Sequence, residues 1–137
     1  MHALIIEDES MIAIAIEDAL RACGFTSFDI AVSSDEAVAA AALRCPDLIT
    51  ADVELRPGCG ITAVQSICSE RPIPVLFITG SPGEVRVRMP GRAMIEKPFD
   101  APLTLVKTLA PLGSIAPPRP QGAYLVTPES YGTFKMV

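Results

Sequence analysis

A doubly wound α/β fold is predicted by three observations. Short apolar runs alternate with helix-like segments five times at regular spacing. The first run, Ala3-Leu4-Ile5-Ile6, is continuously apolar, the mark of a strand buried on both faces. Acidic or hydroxyl residues close several of these runs, where an open parallel sheet collects its functional groups.

The elements follow in order. After the first strand, Ser10 is placed to cap a helix through Ile12, Ala15, Ile16, Ala19 and Leu20, with Gly24 at its C-cap. Phe28 to Val32 reads as the second strand. Ser34 or Asp35 caps an alanine-rich helix that ends near Arg44 and Cys45, before Pro46. Asp47 to Asp52 is the third strand, Arg56 to Gly60 a loop, and Ile61 to Ser69 a helix with Val64, Ile67 and Cys68 inward. Ile73 to Ile78, rich in β-branched residues, is the fourth strand. Ala93-Met94-Ile95 is the fifth, and Asp100 caps a last helix through Leu103, Val106 and Leu109, with Pro102 in its first turn. Right-handed crossovers leave few topologies, and the expected one is the flavodoxin-like (βα)5 order 2-1-3-4-5.

Composition narrows the function. The chain has 137 residues, half of them hydrophobic, with 11 Lys and Arg against 16 Asp and Glu. The net charge of −5 disfavours nucleic acid as a partner. The lone histidine, His2, beside the start of the chain, argues against Ser-His-Asp and Cys-His catalysis and against a multi-His metal site. Cys23, Cys45, Cys59 and Cys68 form no C-x-x-C pair. They read as reduced, mostly buried thiols of a cytoplasmic protein, with a redox-sensor role disfavoured. No signal peptide and no membrane-spanning run are expected.

The strand order reverses between the first and third strands, whose C-terminal ends carry Glu7-Asp8 and Asp52. Thr79 closes the fourth strand and Lys97 follows the fifth. Three convergent carboxylates repel unless a cation joins them, and Mg²⁺ suits such oxygen ligands. Asp52 would then attack phosphorus to form an acyl phosphate. Lys97 would neutralise phosphoryl charge and Thr79 would donate a hydrogen bond to a phosphoryl oxygen.

The motifs Leu4-Ile5-Ile6-Glu7-Asp8, Asp47 to Asp52, Phe77-Ile78-Thr79-Gly80 and Lys97-Pro98-Phe99 resemble those of two-component response regulator receiver domains. The resemblance runs from residue 3 to about residue 110. It implies that Asp52 is the phosphoacceptor, that Glu7 and Asp8 hold Mg²⁺ with it, and that the backbone carbonyl of Glu54 completes the metal site. It also implies that Thr79 is the switch hydroxyl, that Lys97 is the family's lysine, and that Lys97-Pro98 is cis. The Phe-Ile-Thr-Gly run resembles the Phe-Ala-Thr-Gly signature of an alphaproteobacterial single-domain subgroup. Met94 departs from the family by standing where an aromatic switch is usual. The implied partners are a histidine kinase or a histidine phosphotransfer protein, with a downstream protein target.

A receiver over 1–112 and a Pro- and Gly-rich tail over 113–137, without an effector domain, is the expected organisation. Such a chain is not a turnover enzyme. The rival readings are a degenerate receiver that only binds proteins, and a metal-dependent phosphatase with Asp52 as nucleophile. Three further expectations attach to particular segments. The first helix, apolar nearly all round from Met11 to Ile16, keeps an exposed patch for a kinase. The fourth helix, confined to Glu84–Met89 between Pro and Gly residues, is short or irregular, and its ordering replaces the aromatic switch. Tyr124 to Val126 lies extended against the fourth-helix and fifth-strand side of this domain or of a second copy.

Overall fold

The computed structural model describes residues 1–69 and 71–98. Its elements are β1 (His2–Ile6), α1 (Ser10–Ala22), β2 (Ser27–Ala31), α2 (Ser34–Leu43), β3 (Leu48–Ala51), β4 (Glu54–Leu55), β5 (Gly58–Cys59), α3 (Gly60–Cys68), β6 (Val75–Thr79), α4 (Pro82–Arg88) and β7 (Ala93–Glu96). The five long strands form one parallel sheet ordered β2-β1-β3-β6-β7. This is the expected 2-1-3-4-5 order, with β6 and β7 as the fourth and fifth predicted strands. The last helix expected from Asp100 and the tail with Tyr124 to Val126 lie outside the described residues.

Alternation along each strand builds two cores. Leu4, Ile6, Ile49, Ala51 and Phe77 pack with Ala37, Ile61, Val64 and Val85 of α2, α3 and α4. Ala3, Ile5, Leu48, Leu76 and Ile78 pack with Ala13, Ile16 and Leu20 of α1. Both faces are thus covered, which is why β1, β3 and β6 read as nearly continuous apolar runs. At the sheet's other end the buried His2 ring bridges to edge strand β2, with Nδ1 2.7 Å from Ser27 Oγ and Nε2 3.0 Å from Asp29 Oδ2. This lone histidine ties strands together far from the acidic strand ends.

Several local expectations need correction. The N-cap of α1 is Glu9, which makes no side-chain cap bond, and Ser10 is the first helical residue. The cap of α2 is Ser33, not Ser34 or Asp35. The Glu36 amide donates to Ser33 Oγ, and the Glu36 carboxylate accepts from the Val32 amide, so both exposed backbone donors are satisfied. The expected loop at Arg56–Gly60 is part of a small antiparallel hairpin, β4 with β5. Gly58 turns it at φ +112°, a backbone that side chains rarely adopt. α4 is short, as expected, but regular, and it begins two residues early because Pro82 fits the first helical turn. The strand-like alternation of Val85-Arg86-Val87-Arg88 resolves as a helix with Val85 buried and Val87 exposed.

All four cysteines are free, yet Cys45 is exposed and the other three are half-buried, so the thiols are less buried than expected. Among the described residues no helix is long and apolar enough to cross a membrane.

Gly60 lies close against the backbone that follows β3. A Cβ there would lie 1.6 Å from the Asp52 carbonyl oxygen. Gly60→Ala is therefore expected to cost about 3 kcal/mol in urea denaturation, because backbone must shift to admit the methyl. Ser33→Ala, which removes only a cap, is expected to cost about 1 kcal/mol. A Gly60→Ala loss no larger than that of Ser33→Ala would contradict the packing described.

Candidate functional site

Backbone pairing delivers the carboxylates. Carrying the parallel register Ile6↔Ala51 one residue further sets Glu7 beside Asp52 at the adjoining ends of β1 and β3. Two ladder bonds continue past the strand ends and fix these residues. The Glu7 amide donates to the Ala31 carbonyl at 2.9 Å, and the Asp52 amide to the Ile6 carbonyl at 3.0 Å. Glu7 is 1% exposed and Asp52 7% exposed, both unusual for carboxylates.

Lys97 makes that burial tolerable. Its Nζ donates to Glu7 Oε1 at 2.6 Å and to Asp52 Oδ2 at 2.9 Å. The lysine is held by its own backbone, whose amide donates to the Thr79 carbonyl at 2.9 Å. The Lys97-Pro98 bond is cis, as the resemblance implies, and Arg56-Pro57 is cis as well. Burial pushes the Glu7 carboxyl up to about 7, while the Lys97 hydrogen bond and charge pull the other way. Burial also disfavours the Lys97 ammonium, but the two carboxylates outweigh it and hold its pKa above the usual lysine value.

Glu7, Asp8 and Asp52 each offer a carboxylate oxygen, and these lie within 4.8 Å of one another. An all-oxygen, anionic donor set of this kind fits Mg²⁺ rather than a softer metal. Asp8 is half-buried at the rim. Thr79 is fully buried at the end of β6, where its Oγ1 accepts from the Ser81 amide at 2.9 Å. Glu54 opens β4 two residues beyond Asp52, with an exposed side chain that accepts from Ser81 Oγ at 2.9 Å. Each residue singled out in the sequence therefore stands at this one edge of the sheet or immediately after it.

Three residues were not singled out for this region. Ser81 joins Thr79 to Glu54, a contact hinted at only by a hydroxyl residue in the turn after β6. Arg88 Nη1 lies 3.3 Å from Cys59 Sγ, so this thiol does have a cation beside it. The two are 29 residues apart, and no local pattern announces the pair. On the first helix the predicted apolar surplus is real: Ala13 and Ile16 are buried, whereas Met11 and Ile14 are 82% and 56% exposed.

The chain is similar to known regulatory proteins. The chain is 36% identical over 100 residues to the phyllosphere-induced regulator PhyR of Methylorubrum extorquens, covering 70% of this chain and 38% of that protein. It is 37% identical over 78 residues to the transcriptional regulatory protein PdtaR of Mycobacterium tuberculosis, covering 57% of this chain and 38% of the relative. The chain thus spans well under half the length of these curated relatives. The solution structure of the Erythrobacter litoralis PhyR receiver domain superposes with a TM-score of 0.73 at 32% identity, covering 80% of this chain and 87% of that one. The likeness to PhyR receivers supports the alphaproteobacterial subgroup read from Phe77 to Gly80. Residues 3–109 match the response regulator receiver domain, and the chain belongs to that family of two-component signalling modules.

Proposed function

We propose that this chain is the phosphoacceptor of a phosphorelay, taking a phosphoryl group onto Asp52 from a phosphohistidine of a histidine kinase or histidine phosphotransfer protein. The observation that carries this reading is the Lys97 ammonium, held between Glu7 and Asp52 beside a third carboxylate. An Asp52 oxygen attacks phosphorus, the P–N bond of the phosphohistidine breaks, and the imidazole leaves with a proton from solvent. The product is an acyl phosphate, which water later hydrolyses to restore the carboxylate. Lys97 is placed to share its charge with the phosphoryl oxygens. The Thr79 hydroxyl accepts from Ser81, which leaves its own proton available to a phosphoryl oxygen. Glu7, Asp8, Asp52 and the Glu54 backbone carbonyl would hold Mg²⁺, which supplies charge neutralisation at the phosphoryl group when bound.

On this reading residues 1–112 are the receiver and the chain promotes only its own phosphorylation and dephosphorylation, in the cytoplasm. The exposed Met11 and Ile14, on the helix that follows the acidic pair, suit the apolar contact with the kinase. The PhyR of Bartonella quintana is described as an anti-anti-sigma factor. A protein target of comparable kind is the downstream partner this likeness suggests.

Phosphorus NMR with Mg²⁺ and acetyl phosphate is expected to show an acyl phosphate resonance that Asp52→Asn abolishes. A resonance of equal intensity in the Asn variant would overturn the assignment. Met11→Lys with Ile14→Lys is expected to slow transfer from a cognate kinase about tenfold or more while acetyl phosphate labelling persists. Loss of both activities together would point to misfolding.

The raised Glu7 pKa has a consequence for pH. Its contribution to stability is present below 4.5, the unfolded value, and is lost as pH rises through about 7. The Lys97 contribution persists through neutral pH, since its pKa is also raised. Mg²⁺ needs Glu7 ionised, so calorimetry is expected to show a proton released on binding below about 7, fading as pH rises through it while binding tightens. Lys97→Met removes the lowering influence on Glu7 and is expected to move this dependence to higher pH. An unmoved profile would show that Lys97 does not govern Glu7.

A further inference from the structure

α4 buries a single side chain, Val85. An element with so little apolar burial is held weakly by packing alone. Polar contacts at both of its ends tie it to the segment that follows Asp52. At the start, Ser81 Oγ donates to Glu54 Oε1. At the end, the Arg88 guanidinium forks onto the first turn of α3, with Nη1 donating to Cys59 Sγ and Nη2 to Thr62 Oγ1, each at 3.3 Å.

That first turn is set hard against the Asp52 backbone. The Gly60 amide donates to the Val53 carbonyl at 2.9 Å, and Gly60 has no room for a Cβ against the Asp52 carbonyl. Groups packed this closely move together, so a shift of Asp52 reaches Cys59 and Thr62. A cation at a helix N-terminus is opposed by the helix dipole. Here two acceptors, Cys59 Sγ and Thr62 Oγ1, hold the guanidinium in place. Burial raises the Cys59 pKa, but the Thr62 and Ile61 amides and Arg88 outweigh it and leave the thiol below its ordinary value.

We propose that Arg88 is a positioning residue that locks the last turn of α4 to the first turn of α3, so that the state of Asp52 is carried to the exposed α4 surface. The lock stands on the contacts alone. Its coupling to Asp52 rests on the phosphoacceptor reading. The surface it positions presents Val87, 81% exposed, between Arg86 and Arg88.

The test uses amide hydrogen exchange of the full chain and compares Arg88→Gln with Arg88→Lys, which keeps the charge. In Arg88→Gln, exchange of the Met89 amide, which donates to the Val85 carbonyl at 2.8 Å, is expected to quicken about threefold or more, and Arg88→Lys to restore part of the protection. Unchanged Met89 exchange in Arg88→Gln would overturn the lock. With Mg²⁺ and beryllium trifluoride as phosphoryl mimic, wild-type Met89 exchange is expected to change about threefold, and Arg88→Gln to lose that response. A response that survives in Arg88→Gln would overturn the coupling. If fluorine NMR shows that the mimic does not bind the wild type, the phosphoacceptor reading and the coupling both fall, while Met89 exchange in the two Arg88 variants still decides the lock.

Discussion

The contact on which the site depends is the Lys97 ammonium shared between Glu7 and Asp52. Two almost fully buried carboxylates at adjoining strand ends repel each other, and each has given up hydration to be there. The lysine compensates both with short, charge-assisted hydrogen bonds. Its partners are 90 and 45 residues away in the chain, so the contact forms only when β1, β3 and β7 are all in place. The chemistry and the completed sheet are in this sense one event. Burial nonetheless holds the Glu7 carboxyl above the usual carboxylate range, at about 7, against the pull of the lysine.

Much of this was legible in the chain because parallel strands buried on both faces leave a plain signal. Ala3 to Ile6 and Val75 to Ile78 are apolar throughout, and the polar residue that follows each run marks the sheet edge. The converging residues Glu7, Asp8, Asp52, Thr79 and Lys97 followed from strand order alone. Helix caps were less legible. Ser33, Ser34 and Asp35 are adjacent cap formers, and only the reciprocal bond through Glu36 selects Ser33. The β4–β5 hairpin escaped notice because two-residue strands have no periodicity to read.

What sequence could not reveal was the wiring between elements distant in the chain. Arg88 reads locally as one of several exposed basic residues, and Cys59 as one of four unremarkable thiols. Their meeting depends on α4 being folded as a helix and on Gly60 drawing α3 against Asp52. The missing aromatic at Met94 suggested that α4 would signal by ordering. Its formed helix, pinned near both ends, offers a different route, in which a rigid short element is moved by its ties.

On the proposed reading Asp52 is the side chain that becomes covalently modified. Borohydride reduction of the freshly phosphorylated protein converts an aspartyl phosphate to homoserine, and peptide mass spectrometry locates the change. Homoserine is expected at position 52 alone, dependent on Mg²⁺ and a phosphodonor. Homoserine nowhere, or reduction products at Glu7 or Asp8 with Asp52 intact, would contradict it.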